Sequence, residues 1–323
     1  MKTLVTGAGG FIGSHLAAEL VKQGHSVRAF VRYNSRNSWG WLEGSPIRED
    51  MQIISGDIRD YDLVKEAVKG CDTVFHLAAL IGIPYSYLSP LAYVKTNVEG
   101  TYNVLQAARE SGGVRVIHTS TSEIYGTAQY VPIDEKHPIN PQSPYAASKA
   151  SADLLALSFH RSFGLPVTVV RPFNTYGPRQ SARAVIPTVI GQILDGNGKI
   201  RLGNLLPTRD LTYVDDTVSG FIAAALSEKS VGEVLNLGTG REISIGDLAK
   251  KIAQIIGREV EIEEDPERVR PEGSEVERLL SAPGKMKELT GWTAKVSLEE
   301  GLESTVQWMR DRNDLYKNDI YNV

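Results

Sequence analysis

Two residues four apart, Tyr145 and Lys149 in SPYAASK (143–149), carry the clearest chemistry in the sequence. On a helix this spacing puts a phenol and an ammonium on one face. A free phenol ionises near ~10, too high for a base at neutral pH. A neighbouring ammonium favours the phenolate, and a second positive charge nearby would help bring it toward ~7. Ser120 and Thr121 stand at the end of an apolar segment, VRVIHTS (114–120), from which a hydroxyl can meet the same reactant. Tyr-x-x-x-Lys by itself is common on helices and gains meaning only with such partners.

The second chemical feature is TGAGGFIG (6–13), directly after the apolar run KTLVT. Gly7, Gly10 and Gly13 permit a tight turn, close approach to a pyrophosphate and close helix–strand packing. Phe11 and Ile12 open the helix whose N-terminal amides face the phosphates. An acidic residue usually ends the next strand and binds the ribose of NAD. Here Val31-Arg32 is followed by Tyr33, Asn34, Ser35 and Arg36, with no carboxylate. Arg32 can stack on adenine and, with Asn34, Ser35 and Arg36, meet a 2′-phosphate, so the expected cofactor is NADP, with NAD second. Asp57 and Ile58 are expected at the adenine, the carboxylate accepting from its amine; Asp57 as cap of the following helix reads almost as well.

These residues need a scaffold, and the chain supplies an alternation. KTLVT (2–6), SVRAFV (26–31), MQIIS (51–55), TVFHLA (73–78), VRVIHTS (114–120) and LPVTVVRP (165–172) read as strands. Most are separated by helical segments, as at 60–70, 91–112 and 143–164. That pattern specifies an α/β doubly wound parallel sheet of the Rossmann type. After Arg171 the alternation fails. A loop-rich stretch with one helix near 184–195 precedes a returning helix and strand over 212–240, then a charged, helical remainder. The expected division is a dinucleotide-binding domain at 1–171 and 212–240 with a smaller discontinuous α/β cap at 172–211 and 241–323.

Composition narrows the classes. The chain has 323 residues, 41% hydrophobic and 23% charged, which excludes disorder and fibres. A net charge of −4 offers no global attraction to nucleic acid or anionic membrane. One cysteine, Cys71, rules out an internal disulfide and a Cys-only metal site, and no metal is expected. Residues 73–94 carry no charge, but Pro84 and Pro90 break a spanning helix there, so a buried strand followed by a loop is expected. The glycines at 7–13 interrupt any secretory apolar core. The expectation is a cytoplasmic protein without a membrane span.

At this point the sequence resembles the extended short-chain dehydrogenase/reductases, specifically their sugar-nucleotide epimerase/dehydratase group. The resemblance rests on TGAGGFIG (6–13), GDIRD (56–60), FHLAA (75–79), TNVEGT (96–101), TSTSEIYG (119–126), SPYAASK (143–149), RPFNTYGPRQ (171–180) and TRDLTYVDD (208–216). It implies that Thr121 hydrogen-bonds the sugar 4-hydroxyl while the Tyr145 phenolate removes its proton. His76, Leu77, Ala78 and Ala79 would line the cofactor, and Asn97 would support the Tyr145–Lys149 pair. Asn174, Arg209 and Arg270 would hold the diphosphate of a nucleotide sugar, with Val185 also on the substrate side. A homodimer through the helices at 91–112 and 143–164 is implied by the same resemblance.

Glu123 decides which reaction follows. Oxidation at C4 acidifies the C5 proton, which a glutamate here can remove; loss of the 6-hydroxyl then leads to a 4-keto-6-deoxy sugar. Dehydratases of the group usually carry Thr-Asp-Glu, the aspartic acid protonating the leaving group. Ser122 replaces it, so Glu123 itself or a water delivers that proton, or no such acid is needed. Thr-Ser-Glu also resembles UDP-glucuronate decarboxylases. The segments YNSRNSWGWLEG (33–44) and AALIGIPYSYLSP (78–90) resemble the 4,6-dehydratases of the legionaminic-acid pathway, which act on a nucleotide-linked N-acetylglucosamine. Ile81, Tyr85 and Tyr87 would then meet the hexose, and Trp39 and Trp41 would clamp the cofactor loop or meet a neighbouring subunit. A UDP- or GDP-linked N-acetylglucosamine 4,6-dehydratase is the expectation, with decarboxylase or 4-epimerase as alternatives. A non-catalytic dinucleotide sensor is disfavoured by the presence of Thr121, Tyr145 and Lys149.

Overall fold

The structure, a computed structural model, describes residues 1–323 except 197, 317–319 and 321–323. The last six of these exceptions belong to the expected cap, and that part of the expectation lies outside the described residues, as does residue 197.

Six apolar, largely β-branched segments form the first six strands: β1 Lys2–Thr6, β2 Ser26–Arg32, β3 Met51–Gly56, β4 Thr73–His76, β5 Arg115–Thr119 and β6 Val167–Pro172. With Val234–Leu237 they make a seven-stranded sheet in the order Val234–Leu237, β6, β5, β4, β1, β2, β3. Every pairing in it is parallel. β1, β4 and β6 are buried almost throughout, because helices cover both faces. The chain lays β2 and β3 on one side of β1 and then crosses to place β4 on the other. This reversal opens a crevice beyond the carboxyl ends of β1 and β4, where ligands of such sheets bind.

The helices follow local signals. α1, Phe11–Lys22, starts directly after the glycines that end β1. α2, Tyr61–Val68, is capped by Asp60, whose side chain accepts from the Leu63 amide at 3.3 Å. The reading of Asp57 as that cap is therefore corrected: it lies one turn too early. The helix Pro144–Phe163 is capped by Ser143, has proline in its first turn and ends on left-handed Gly164. It holds Tyr145 and Lys149 on adjacent turns.

The loop expected after β4 is instead helical. Ile83–Leu88 and Pro90–Tyr93 are short helices, followed by a wide π turn over Val94–Glu99 and then Gly100–Glu110. The two prolines, expected to break structure, sit in first turns, where no amide donor is required. No helix among the described residues is long and apolar enough to cross a membrane.

Beyond β6, short strands replace the regular alternation. Asn174–Tyr176 pairs with Leu211–Tyr213, Thr208–Arg209 lies between Ile243–Ser244 and Arg278–Leu279, and Lys199–Leu202 pairs with Glu261–Glu264. One apolar cluster runs from Val5 and Leu16 through Phe221 to Ile186, Ile252 and Leu302. The later segments therefore pack directly on one side of the sheet. A second cluster, including Leu4, Val74, Leu105 and Phe159, fills the other.

Candidate active site

A cavity of about 1130 Å³ runs from the glycine loop past the ends of β1, β4 and β5 to residues 180–186, 202–211 and 268–275. Its dinucleotide end is built on glycine. Gly7 has φ +73°, and a Cβ there would stand 2.9 Å from the Ala78 amide nitrogen. A Cβ on Gly13 would stand 2.2 Å from the Gly7 carbonyl oxygen. Gly10 donates to that carbonyl at 3.0 Å, and Phe11 and Ile12 line the cavity behind it. First-turn amides have no partner within the helix, so this cradle fits a pyrophosphate.

Gly9 went unnoticed in the sequence, although the doubled glycine of GAGG marks it. Its carbonyl accepts from the Trp41 amide at 3.0 Å, and a Cβ on it would meet the Trp39 carbonyl oxygen at 2.5 Å. The Trp39–Trp41 segment thus lies directly on the glycine loop.

The end of β2 differs from expectation. Arg32 is exposed and lines the cavity. Asn34 also lines it but spends its amide on its own turn, donating to the Arg32 and Ser38 carbonyls and accepting from the Arg36 and Ser38 amides. Ser35 and Arg36 are exposed and are not among the lining residues. Asp57 is engaged by Arg59, whose Nε lies 2.9 Å away, and that bond holds its carboxyl below the usual range. Ile58 is buried against Gly100 and lines the same end.

Leu77 and Ala78 each donate an amide to Thr6 Oγ1 at 3.1 Å, and Ala79 follows them along the wall. His76 does not line the cavity. It is buried between Thr6 Oγ1 at 2.8 Å and Thr101 Oγ1 at 3.0 Å, and burial holds the ring neutral. Its place is beneath the wall as a prop. Asn97, in the π turn, brackets Leu80 with both ends of its amide and donates to Ser148 Oγ at 2.9 Å. Its support for the helix of Tyr145 and Lys149 passes through Ser148.

Tyr145 is buried, and burial pushes its phenol up, opposed by the neighbouring Thr121 side chain. Lys149 is buried too, and desolvation lowers its ammonium to about 8, against the pull of Asp153. Asp153, one turn further along the helix, was not singled out from sequence. It is fully buried and accepts from Ser120 Oγ at 2.7 Å and Arg171 Nε at 3.0 Å, with His118 Nε2 at 3.2 Å. An acid four residues beyond Lys149, in a helix otherwise small and apolar on that face, was the available signal.

Thr121 caps the short turn Ser122–Tyr125 by accepting from the Glu123 amide at 3.2 Å. Ser122 and Glu123 both line the cavity beside Tyr145. Arg270 Nη1 is 4.0 Å from Glu123 Oε2. Arg209 donates to the Thr208 carbonyl, and Glu275 faces both arginines. Asn174 lines the same region, its side-chain oxygen buried without a partner. Val185 opens a helix on the far wall, and Ile81 and Tyr85 close the near one. Tyr85 packs on Tyr93, which packs on Tyr145. Tyr87 is corrected: it is not among the lining residues, and its hydroxyl binds Ser274 Oγ at 2.6 Å.

The parallel sheet, glycine cradle and Thr–Tyr–Lys group define an α/β dinucleotide-binding enzyme. The model of the family described as GDP-mannose 4,6 dehydratase matches residues 4–305. The chain belongs to that family, and so to the sugar-nucleotide epimerase/dehydratase group of extended short-chain dehydrogenase/reductases. It is 38% identical to a UDP-N-acetyl-alpha-D-glucosaminuronate decarboxylase of Bacillus cytotoxicus, over 96% of this chain and 98% of that protein. It is 35% identical to a dTDP-glucose 4,6-dehydratase of Streptomyces antibioticus, over 96% and 93%. Among solved structures it is similar to a dTDP-glucose 4,6-dehydratase double mutant of Streptomyces venezuelae with NAD bound. That match has a TM-score of 0.88 at 30% identity, covering 98% of this chain and 99% of that one. A UDP-glucuronic acid 4-epimerase mutant of Bacillus cereus, also with NAD, matches with a TM-score of 0.88 at 30% identity, over 96% and 99%.

Proposed function

We propose that this protein is a nicotinamide-dinucleotide-dependent nucleotide-sugar 4,6-dehydratase acting on a UDP- or GDP-linked N-acetylglucosamine. The observation that carries this reading is Glu123, a carboxylate in the cavity wall beside Thr121 and Tyr145. A 4-epimerase has no need of a second base there. Bound cofactor supplies the hydride acceptor for C4 and the donor that completes the reaction. Tyr145, as a phenolate stabilised by the Lys149 ammonium, takes the O4 proton, with Thr121 beside it on the cavity wall. Glu123 takes the C5 proton. Because the Ser122 hydroxyl is too weak an acid, Glu123 then returns that proton to the departing 6-hydroxyl.

Ser122 favours a second reading, decarboxylation of a uronate, as in the Bacillus cytotoxicus relative. Charge argues against it. Arg209 and Arg270 already face Glu123 and Glu275, so a sugar carboxylate would be a third negative group beside Glu123. A neutral 6-hydroxyl carries no such cost. For the cofactor we infer NAD: of the four groups expected at a 2′-phosphate, only Arg32 lines the cavity with its side chain uncommitted to the loop. The solved relatives' bound NAD supports this choice.

The same proposal includes the division into a dinucleotide body (1–171, 212–240) and a nucleotide-sugar cap (172–211, 241–323). It also includes a homodimer through the exposed Leu91, Tyr102, Leu154 and Phe163. Incubation with a panel of UDP- and GDP-linked hexosamines, glucose and uronates, followed by mass spectrometry, tests the reaction. Loss of water from an N-acetylglucosamine substrate is expected. Loss of carbon dioxide, or isomerisation without mass change, would replace the proposal by the decarboxylase or the epimerase.

A further inference from the structure

Four charged side chains meet at the far end of the cavity without making one hydrogen bond among themselves. Arg209 Nη2 is 3.6 Å from Glu275 Oε1, and Arg270 Nη1 is 3.7 Å from the same oxygen. Arg270 Nη1 is also 4.0 Å from Glu123 Oε2, and this nitrogen is buried with no hydrogen-bond partner. All three gaps exceed hydrogen-bond reach. The two cations are thus neutralised without a hydrogen bond to either carboxylate, in a wall where Arg209 is almost wholly buried.

Glu275 is tied down at both its carboxylate and its backbone. Its carboxylate accepts from the Val276 amide at 3.1 Å. Its carbonyl accepts from Gln142 Nε2 at 3.0 Å and Thr127 Oγ1 at 3.3 Å, both from the segment after β5. One residue earlier, Ser274 is held by the Tyr87 hydroxyl. Two guanidinium groups therefore face a carboxylate tied to its own backbone.

We propose that Glu275 is a resident counter-ion that stands in for the substrate diphosphate. It neutralises and orients Arg209 and Arg270 while the site is empty, and it competes with the nucleotide diphosphate for them when the site fills. This rests on the proposed role of the two arginines in holding that diphosphate. Turning them toward phosphate also frees Glu123 of its ion partner, which a base at C5 requires. Glu275 is a positioning residue: it sets the strength of nucleotide binding, and with it the release of product, without touching the reacting carbons.

The consequence has an unusual sign. Removing a residue that merely holds the wall together weakens binding; removing a competing anion strengthens it. UDP, GDP and dTDP are titrated separately by calorimetry into the full-length, NAD-loaded chain and into Glu275→Gln. The tightest of the three should bind Glu275→Gln about tenfold more tightly. The variant's Tm without nucleotide should fall while its nucleotide-induced rise in Tm grows. Glu275→Asp, one methylene shorter but still charged, should bind about two- to threefold more tightly, and it serves if the Gln variant does not fold. Unchanged or weaker binding by these variants, with wild type binding normally, overturns the role of Glu275 alone. If wild type binds none of the three, the diphosphate reading of Arg209 and Arg270 falls, and this proposal with it.

Discussion

Lys149 should leave a mark on stability that no other lysine among the described residues shares. Burial holds its ammonium at about 8 in the folded protein, against 10.5 for an ordinary lysine. Below pH 8 both folded and unfolded chains carry the proton, and folding bears the full cost of burying the charge. Between pH 8 and 10.5 the folded form has released the proton while the unfolded chain retains it. Stability contributed by this site therefore rises with pH across that window. At about 1.4 kcal/mol per unit over 10.5 − 8 = 2.5 units, the change is on the order of 3 kcal/mol. Lys149→Met removes the titrating group and keeps the volume. Its stability advantage over wild type should be greatest near pH 7 and shrink by that amount toward pH 10.5. Urea unfolding of the cofactor-free proteins at several pH values measures it, and the titration of Tyr145, present in both, cancels to first order. A difference that stays constant with pH would refute the buried-ammonium account.

Asp153→Asn should unfold early, because it leaves buried Arg171 without its ion partner. Breaking such a pair costs about 3–5 kcal/mol. For 323 residues that is a fall in Tm of roughly 4–7 °C by calorimetry, and a shift below about 2 °C would contradict the assignment. Gly9→Ala places a Cβ 2.5 Å from the Trp39 carbonyl oxygen, so the covering segment must move. NAD affinity, followed by fluorescence titration, should drop about tenfold or more, and unchanged affinity would detach that segment from cofactor binding. Stripped wild-type protein should bind NAD at least about tenfold more tightly than NADP, with Arg32→Ala weakening NADP further. Preference for NADP would restore the 2′-phosphate reading of Asn34, Ser35 and Arg36.

Features that depend on local spacing were legible in the sequence. The glycine cradle and the Tyr145–Lys149 face follow from contiguous residues, and the parallel sheet follows from alternation of apolar strands with helices. What escaped depends on contacts between distant segments. Asp153 looked like one polar residue on a helix until β5 and β6 brought His118, Ser120 and Arg171 around it. Glu275 had no meaning before the 268–275 loop closed on Arg209. Asn34 carried the right chemistry for a phosphate, but its amide is consumed by a turn whose geometry spacing does not reveal. Pro84 and Pro90 were read as breakers because composition does not say whether a proline opens a helix or interrupts one. Asp57 and Asp60 show the same difficulty at finer scale: both are capping residues by type, and the helix start alone decides.

The account centres on a sugar oxidised at C4 and finished at C6. The most direct measurement uses the N-acetylglucosamine nucleotide that wild type consumes, deuterated at C4, with the product followed by NMR. The account predicts a 4-keto-6-deoxy product bearing the deuterium on C6. Deuterium returned to C4 of a 4-epimer would contradict it.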